Sequence, residues 1–305
     1  MLKTIKNIQM KNYTKIFKLL LVNILLLIAG NLFAQDSTEA PVVRKVKPVK
    51  NTFGSTWVMD NQSVMVPIKG TFEMDIQHRF GTVEKGVKDM YGLFAPSNIR
   101  IALSYSPINK LYVGAGIAKD RMQVDINAKY AIVKQTPGKI PVSVTYFTNM
   151  VIDSRNKINF RYGVDRLSFF HQLIIARKIT DKFSAQVSPS LSWYNNIEGY
   201  VDSKGIIQPM MKNAHIAISV AGRYKVTDKL AITAGLDQPL TQHPTNNPHP
   251  NISFGIEITT SAHAFQVFAG NYYGIVPQSN NFFNQNDYTK GQFLIGFNIT
   301  RLWNF

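Results

Sequence analysis

The chain has no cysteine in its 305 residues, so no disulfide can form and no lipid-modified N-terminal cysteine can anchor it. Acidic residues are few, 18 against 34 Lys and Arg. Those basic residues are spread along the chain and match no nucleic-acid module, which argues against a nucleic-acid partner. After Ala34 no stretch approaches the roughly twenty consecutive apolar residues that a membrane-spanning helix needs. If the protein crosses a bilayer, strands must do it.

What is present begins with an address. Lys3, Lys6, Lys11, Lys15 and Lys18 precede the apolar run from Leu19 to Ala29, and Leu32-Phe33-Ala34 stands before Gln35. That order of charge, apolar run and cleavage site predicts a secretory signal peptide over 1–34. A start at Met10 would leave a shorter signal of the same kind. Without the five leader lysines, 29 basic residues face 18 acidic ones, a net +11 suited to anionic lipid headgroups or an anionic solute. Residues 35–69 are expected to form a short periplasmic N-terminal segment. Its first part, with Pro41, Arg44, Lys45, Lys47, Pro48 and Lys50, reads as a flexible tether. Phe53, Trp57, Val58, Val64, Met65 and Val66 are apolar enough to pack, against the barrel mouth, as added strands or as a plug.

From Gly70 to Phe305 the pattern changes to two-residue alternation in runs of about ten, the length a tilted strand needs to cross hydrocarbon. Phe72, Met74, Ile76 and Phe80 alternate with Glu73, Asp75, Gln77 and Arg79. Ile99, Ile101 and Leu103 oppose Arg100, while Val124, Ile126 and Tyr130 oppose Asp125 and Lys129. Later runs set Ile216, Ile218 and Tyr224 against His215, Ser219 and Arg223, and place Glu257 among Ile residues. Phe170 and Ile174 blur the run from Arg166 to Lys178. The last run, Gly291 to Phe305, ends on Trp303 and Phe305, an aromatic terminus of the kind that barrel assembly machinery reads as a signal. The expectation is an all-β antiparallel transmembrane barrel of about twelve strands in the cell outer membrane.

Connection lengths support that count. Long links at 81–97, 153–165, 195–213, 238–250 and 272–290 alternate with short turns such as Thr180-Asp181-Lys182-Phe183 and Thr227-Asp228-Lys229-Leu230. The link near Asp120 is the exception, short where a long loop is due. Tyr105, Tyr112, Tyr130, Tyr194, Tyr224, Trp193 and Trp303 are expected in the two interfacial girdles.

Lys69-Gly70, His78-Arg79-Phe80-Gly81, Tyr91-Gly92-Leu93-Phe94, Ala176-Arg177-Lys178, Gly222-Arg223-Tyr224-Lys225, His263-Ala264-Phe265-Gln266 and Gly296-Phe297-Asn298-Ile299 together resemble a family of Gram-negative outer-membrane β-barrel proteins classed as a domain of unknown function (DUF5777). The resemblance spans most of the chain from about Thr52. It implies a membrane barrel and carries no chemistry.

The strongest constellation is the polar face: Glu73, Asp75, Gln77, Arg79, Arg100, Asp125, Lys129, Arg223 and Glu257. Charges facing a lumen need partners or water. They are expected either to line a path for a small polar solute or to knit a network that plugs the lumen. His215 and Ser219 sit four apart on one run, too far to bond directly, which leaves an outer-membrane hydrolase as the third and least favoured reading. His243 and His249 flank an asparagine-rich loop without acidic ligands and read as solvated turn residues. No cofactor or metal is expected. The expected partners are outer-membrane lipid, the assembly machinery and a periplasmic or outer-membrane protein.

Overall fold

Alternation of apolar and polar side chains makes a sheet with two unlike faces, and such a sheet is most stable when each face meets its own solvent. The computed structural model describes residues 46–197 and 199–304, and in it twelve strands form one closed antiparallel barrel. They are β1 (Thr71–Thr82), β2 (Asn98–Ile108), β3 (Leu111–Ala118), β4 (Gln123–Val133), β5 (Ser143–Asp153) and β6 (Leu167–Lys178). There follow β7 (Phe183–Tyr194), β8 (Ala214–Lys225), β9 (Leu230–Pro239), β10 (Asn251–Thr259), β11 (His263–Gly270) and β12 (Leu294–Asn304). Each strand pairs with the next, and β12 closes on β1 through Ile299↔Ile76, Trp303↔Phe72 and Asn304↔Thr71. The signal region, the tether to Lys45 and Phe305 lie outside the described residues.

The wall is inside out relative to a water-soluble protein. Leu103 and Ile117 are more than 60% exposed, whereas Arg79, Asp125 and Lys129 are 0% exposed. Burying one large aliphatic side chain is worth about 1.5–3 kcal/mol, so a belt that leaves dozens of them uncovered is stable only against hydrocarbon. No helix among the described residues is long and apolar enough to cross a membrane.

One end of the barrel carries short turns, the other long loops. At the turn end the Thr180 and Thr227 hydroxyls accept from the amides of Phe183 and Leu230, both at 3.0 Å. Thr260 does the same for His263 at 3.1 Å. These threonines fix where the next strand restarts, and so its register. The β4–β5 connection is longer than a tight turn, folding back through a Thr136↔Ile140 bridge, so β5 begins at Ser143 rather than at Pro141. At the loop end, 119–122 is short between its long neighbours.

The interior is filled by the chain itself. Residues 52–66 do not rest at the mouth and add no strand to the wall; they run into the lumen and bury Phe53, Trp57, Val58, Met59, Val64 and Val66. A two-residue hairpin there pairs Trp57 with Gln62 and Val58 with Asn61. Its turn residue Met59 has φ 55°, unfavourable for a side chain of that size. Hydrogen bonds on both sides of Met59 hold it: its amide donates to Gln266 Oε1 (3.1 Å) and its carbonyl accepts from Asn298 Nδ2 (2.6 Å). Phe170 and Ile174, the residues that blurred β6, point inward and pack with Phe147 against Phe53, Val58 and Val64. They break the polar face because the plug gives them an apolar surface to cover. From the loop end, the β11–β12 connection folds inward as α1 (Pro277–Phe283).

Candidate functional site

The first strand supplies four consecutive inward side chains, each used differently. Glu73 accepts from Thr56 Oγ1 of the plug (2.5 Å) and from Tyr112 Oη of β3 (2.8 Å). Asp75 and Asp125 take opposite sides of Arg100. The guanidinium meets Asp125 through two bonds of 2.8 Å and Asp75 through a third of 2.8 Å. That bidentate fork satisfies most of the donors of a charge that has left bulk water. Gly116 makes room for it, because a Cβ there would lie 2.7 Å from Arg100 Nη2 and 2.8 Å from Asp125 Oδ1. Gln77 is fully buried, and its amide has no partner among the described residues.

Arg79 works higher in the lumen. It donates to Asn298 Oδ1 (2.9 Å), lies over the Phe268 ring at 4.7 Å and pairs with Asp60 of the plug at 3.8 Å. Lys129 donates to two plug carbonyls, Thr56 (3.0 Å) and Met65 (3.2 Å). Arg223 and Glu257 pair at 2.6 Å beside Gly54 of the plug, where a Cβ would strike Glu257. Of the nine polar positions, Asp75, Arg100 and Asp125 form a triad, Glu73, Arg79 and Lys129 hold the plug, Arg223 and Glu257 pair with each other beside it, and Gln77 stands apart.

Sequence reasoning missed the plug's own polar partners. Asn61 Nδ2 reaches Asp237 Oδ1 (2.8 Å), and Ser219 also donates to that carboxylate. Asp60 Oδ2 accepts from Asn280 Nδ2 of α1 at 2.7 Å, so the two fillings meet. Gln278 reaches Asn149 (3.1 Å), and Ser279 shares a bond with Tyr194 Oη (3.2 Å). A polar run such as Gln278-Ser279-Asn280-Asn281 carries no apolar stripe, so nothing in its pattern marks it as buried.

Two expectations are corrected. Tyr112 and Tyr194 are buried and face inward rather than standing in a girdle; each has the inward parity of its strand, and each hydroxyl has a lumen partner. His243 is not a solvated turn residue. It is 6% exposed, stacks on His215 at 5.1 Å and bonds it at 2.8 Å between Nε2 and Nδ1. The histidine faces His215 because β8 and the 240–250 loop are adjacent, a proximity that sequence spacing does not show. Trp303 lies half-buried on the outward parity of β12 under the Arg301 guanidinium, 4.9 Å away.

With the closed wall and filled lumen established, comparison with known proteins adds a family. The model of the membrane-bound beta barrel domain (DUF5777) matches residues 53–303. The chain belongs to this family. The matched span starts within the plug and ends in β12, so the family unit comprises barrel and filling together. No curated protein matches the chain. Among solved structures it is similar to the NanC porin (10% identity, 77% of this chain and 99% of that one, TM-score 0.46). It is also similar to an outer-membrane channel from Pseudomonas putida F1 (11%, 78% and 97%, 0.45) and to the KdgM porin (11%, 76% and 99%, 0.42). Likeness at that level carries no functional argument.

Proposed function

We propose that this family member is a non-enzymatic outer-membrane barrel that is closed at rest by its own chain and serves as a structural or partner-binding barrel. The observation that carries this reading is Asp60, which belongs to the plug, forms an ion pair with Arg79 of the wall at 3.8 Å and accepts a hydrogen bond from Asn280 of the loop helix at 2.7 Å. A solute path past Asp60 would require both fillings to move. The signal region and the hydrocarbon-facing wall support the outer membrane as its place.

A second reading, a narrow channel for small polar solutes, draws on the polar wall and on a cavity of about 530 Å³ at the turn end, lined by Lys50, Glu73, Lys182 and Arg223 among others. Planar-bilayer recording separates the two. The closed barrel is expected to insert and stay silent, and the double variant Asp60→Ala/Lys129→Ala, which cuts two anchors of the plug, is expected to show discrete steps. Steady openings in the wild-type barrel would defeat the closed reading and favour the channel. In that case Asp75→Lys and Arg79→Glu should move the reversal potential in opposite directions.

A further inference from the structure

The short link at 119–122 leaves a feature at the loop end that the plug does not use. A cleft of about 260 Å³ opens there between that link, the 154–166 loop and the end of α1, with Arg121, Arg155, Arg166, Phe160 and Phe283 in its lining. Arg121 lies with its guanidinium carbon 4.3 Å from the centre of the Phe283 ring. Arg166 lies 4.6 Å over Phe160 and donates from Nη1 to the carbonyls of Asp153 (2.9 Å) and Arg155 (2.7 Å). The two carboxylates in the lining already have partners. Asp153 is held by Arg155 through bonds of 2.7, 3.0 and 3.1 Å, and Asp165 Oδ2 accepts from the Tyr162 amide at 2.8 Å. Among the described residues neither Arg121 nor Arg166 has a carboxylate within ion-pair distance.

Two arginines without acidic partners on one small cleft are more than a charged rim, because each is held in place. An aromatic ring covers one face of each guanidinium and removes water from it; the two carbonyls take Nη1 of Arg166, so its Nε–Nη2 edge and the whole fork of Arg121 are what is left without a partner among the described residues. Arg166 is further fixed by its two carbonyl bonds. Arg121 sits at φ 54° and Met122 follows at φ 48°, two adjacent non-glycine residues in the left-handed region. Such a doublet is unfavourable and persists only where surrounding contacts enforce it; here it lies in the link that brings Arg121 to the cleft and onto Phe283. A planar fork of this kind matches a carboxylate or phosphate through two parallel hydrogen bonds.

We propose that this cleft binds a small organic anion, a carboxylate or a phosphate ester, gripped by the fork of Arg121 and the Nε–Nη2 edge of Arg166 with Phe160 and Phe283 as its apolar walls. The cleft lies on the rim, beyond the plug anchors, so an occupied cleft and a silent barrel are compatible.

The test is calorimetric titration of the full mature protein in detergent with gluconate, glucose 1-phosphate and neutral glucose. At least one of the two acids is expected to bind at least ten-fold more tightly than glucose, and to weaken with added salt. Gluconate alone would mark a carboxylate site, glucose 1-phosphate alone a phosphate site. Arg121→Ala and Arg166→Ala should each lose ten-fold or more in affinity, and Arg121→Lys, which keeps the charge and loses the fork, should lose several-fold. Heat-modifiable migration on gels shows that each variant is a folded barrel. Equal binding of glucose and both acids, no binding of any of the three, or unchanged affinity in folded Arg121→Ala would overturn the proposal.

Discussion

Arg100 is the residue on which the polar wall is balanced. Its guanidinium separates Asp75 from Asp125, two carboxylates that would otherwise face each other in a lumen with little water. Removing one partner of a buried ion pair costs about 3–5 kcal/mol, because the remaining charge is left without compensation. Arg100→Ala is therefore expected to lower stability by about that amount in urea unfolding of the barrel in lipid vesicles. Asp75→Asn, which leaves the bidentate Asp125 pair intact, should cost clearly less. Equal losses in the two variants would show that the triad does not act through charge. Gly116→Ala tests the same place sterically: its Cβ would sit under 3 Å from both Arg100 and Asp125, so destabilisation of about 1–3 kcal/mol is expected, relieved in an Arg100→Met background.

At the scale of elements, the latch between β8 and the 240–250 loop has a fixed proton arrangement. The Lys212 amide donates to His243 Nδ1 at 2.9 Å, so His243 carries its proton on Nε2 and donates it to His215 Nδ1. Burial, with Lys212 adding to it, holds the His243 imidazole below its usual pKa. The folded loop therefore prefers the neutral ring. Its contribution to stability is complete above the unfolded histidine value near 6.5 and is lost as pH falls below it. The protection factor of the Lys212 amide against hydrogen exchange should drop between pH 7.5 and pH 5, and His243→Asn should flatten that dependence. A protection factor that stays constant in the wild type would exclude His243 as the latch. The Thr180 and Thr227 turns, in contrast, have no histidine in the lock and should be indifferent to the same change.

For the whole molecule, the decisive property is the inverted surface. The mature protein should stay monodisperse only in detergent or lipid and precipitate in plain buffer, as read by light scattering. A soluble, folded monomer would contradict the barrel outright. The filled interior adds a second expectation. Limited proteolysis of the folded barrel should spare residues 52–66, because their backbone runs through buried contacts, while the exposed stretch 199–207 is cut readily. Plug and loop helix share Asp60 and Asn280, so shielding of 52–66 should weaken in Asn280→Ala.

Much of the wall was legible because a strand has a strict period of two. Once Phe72, Met74 and Ile76 are taken as facing lipid, Glu73, Asp75 and Gln77 have nowhere to point except inward. The same parity rule, followed without exception, places Tyr112 and Tyr194 in the lumen; the expectation of a girdle failed where aromatic character was given more weight than position. Period and turn chemistry by themselves determined the class, the strand count and the inward identity of the charges, since each depends on residues near one another in the chain. Only the closed barrel decided that residues 52–66 and the polar helix α1 meet in the lumen, that Phe170 and Ile174 turn inward to cover the plug, and that His215 finds His243. Those pairings join residues up to 220 positions apart, as Asp60 and Asn280 are, and no local periodicity encodes a partner at that distance.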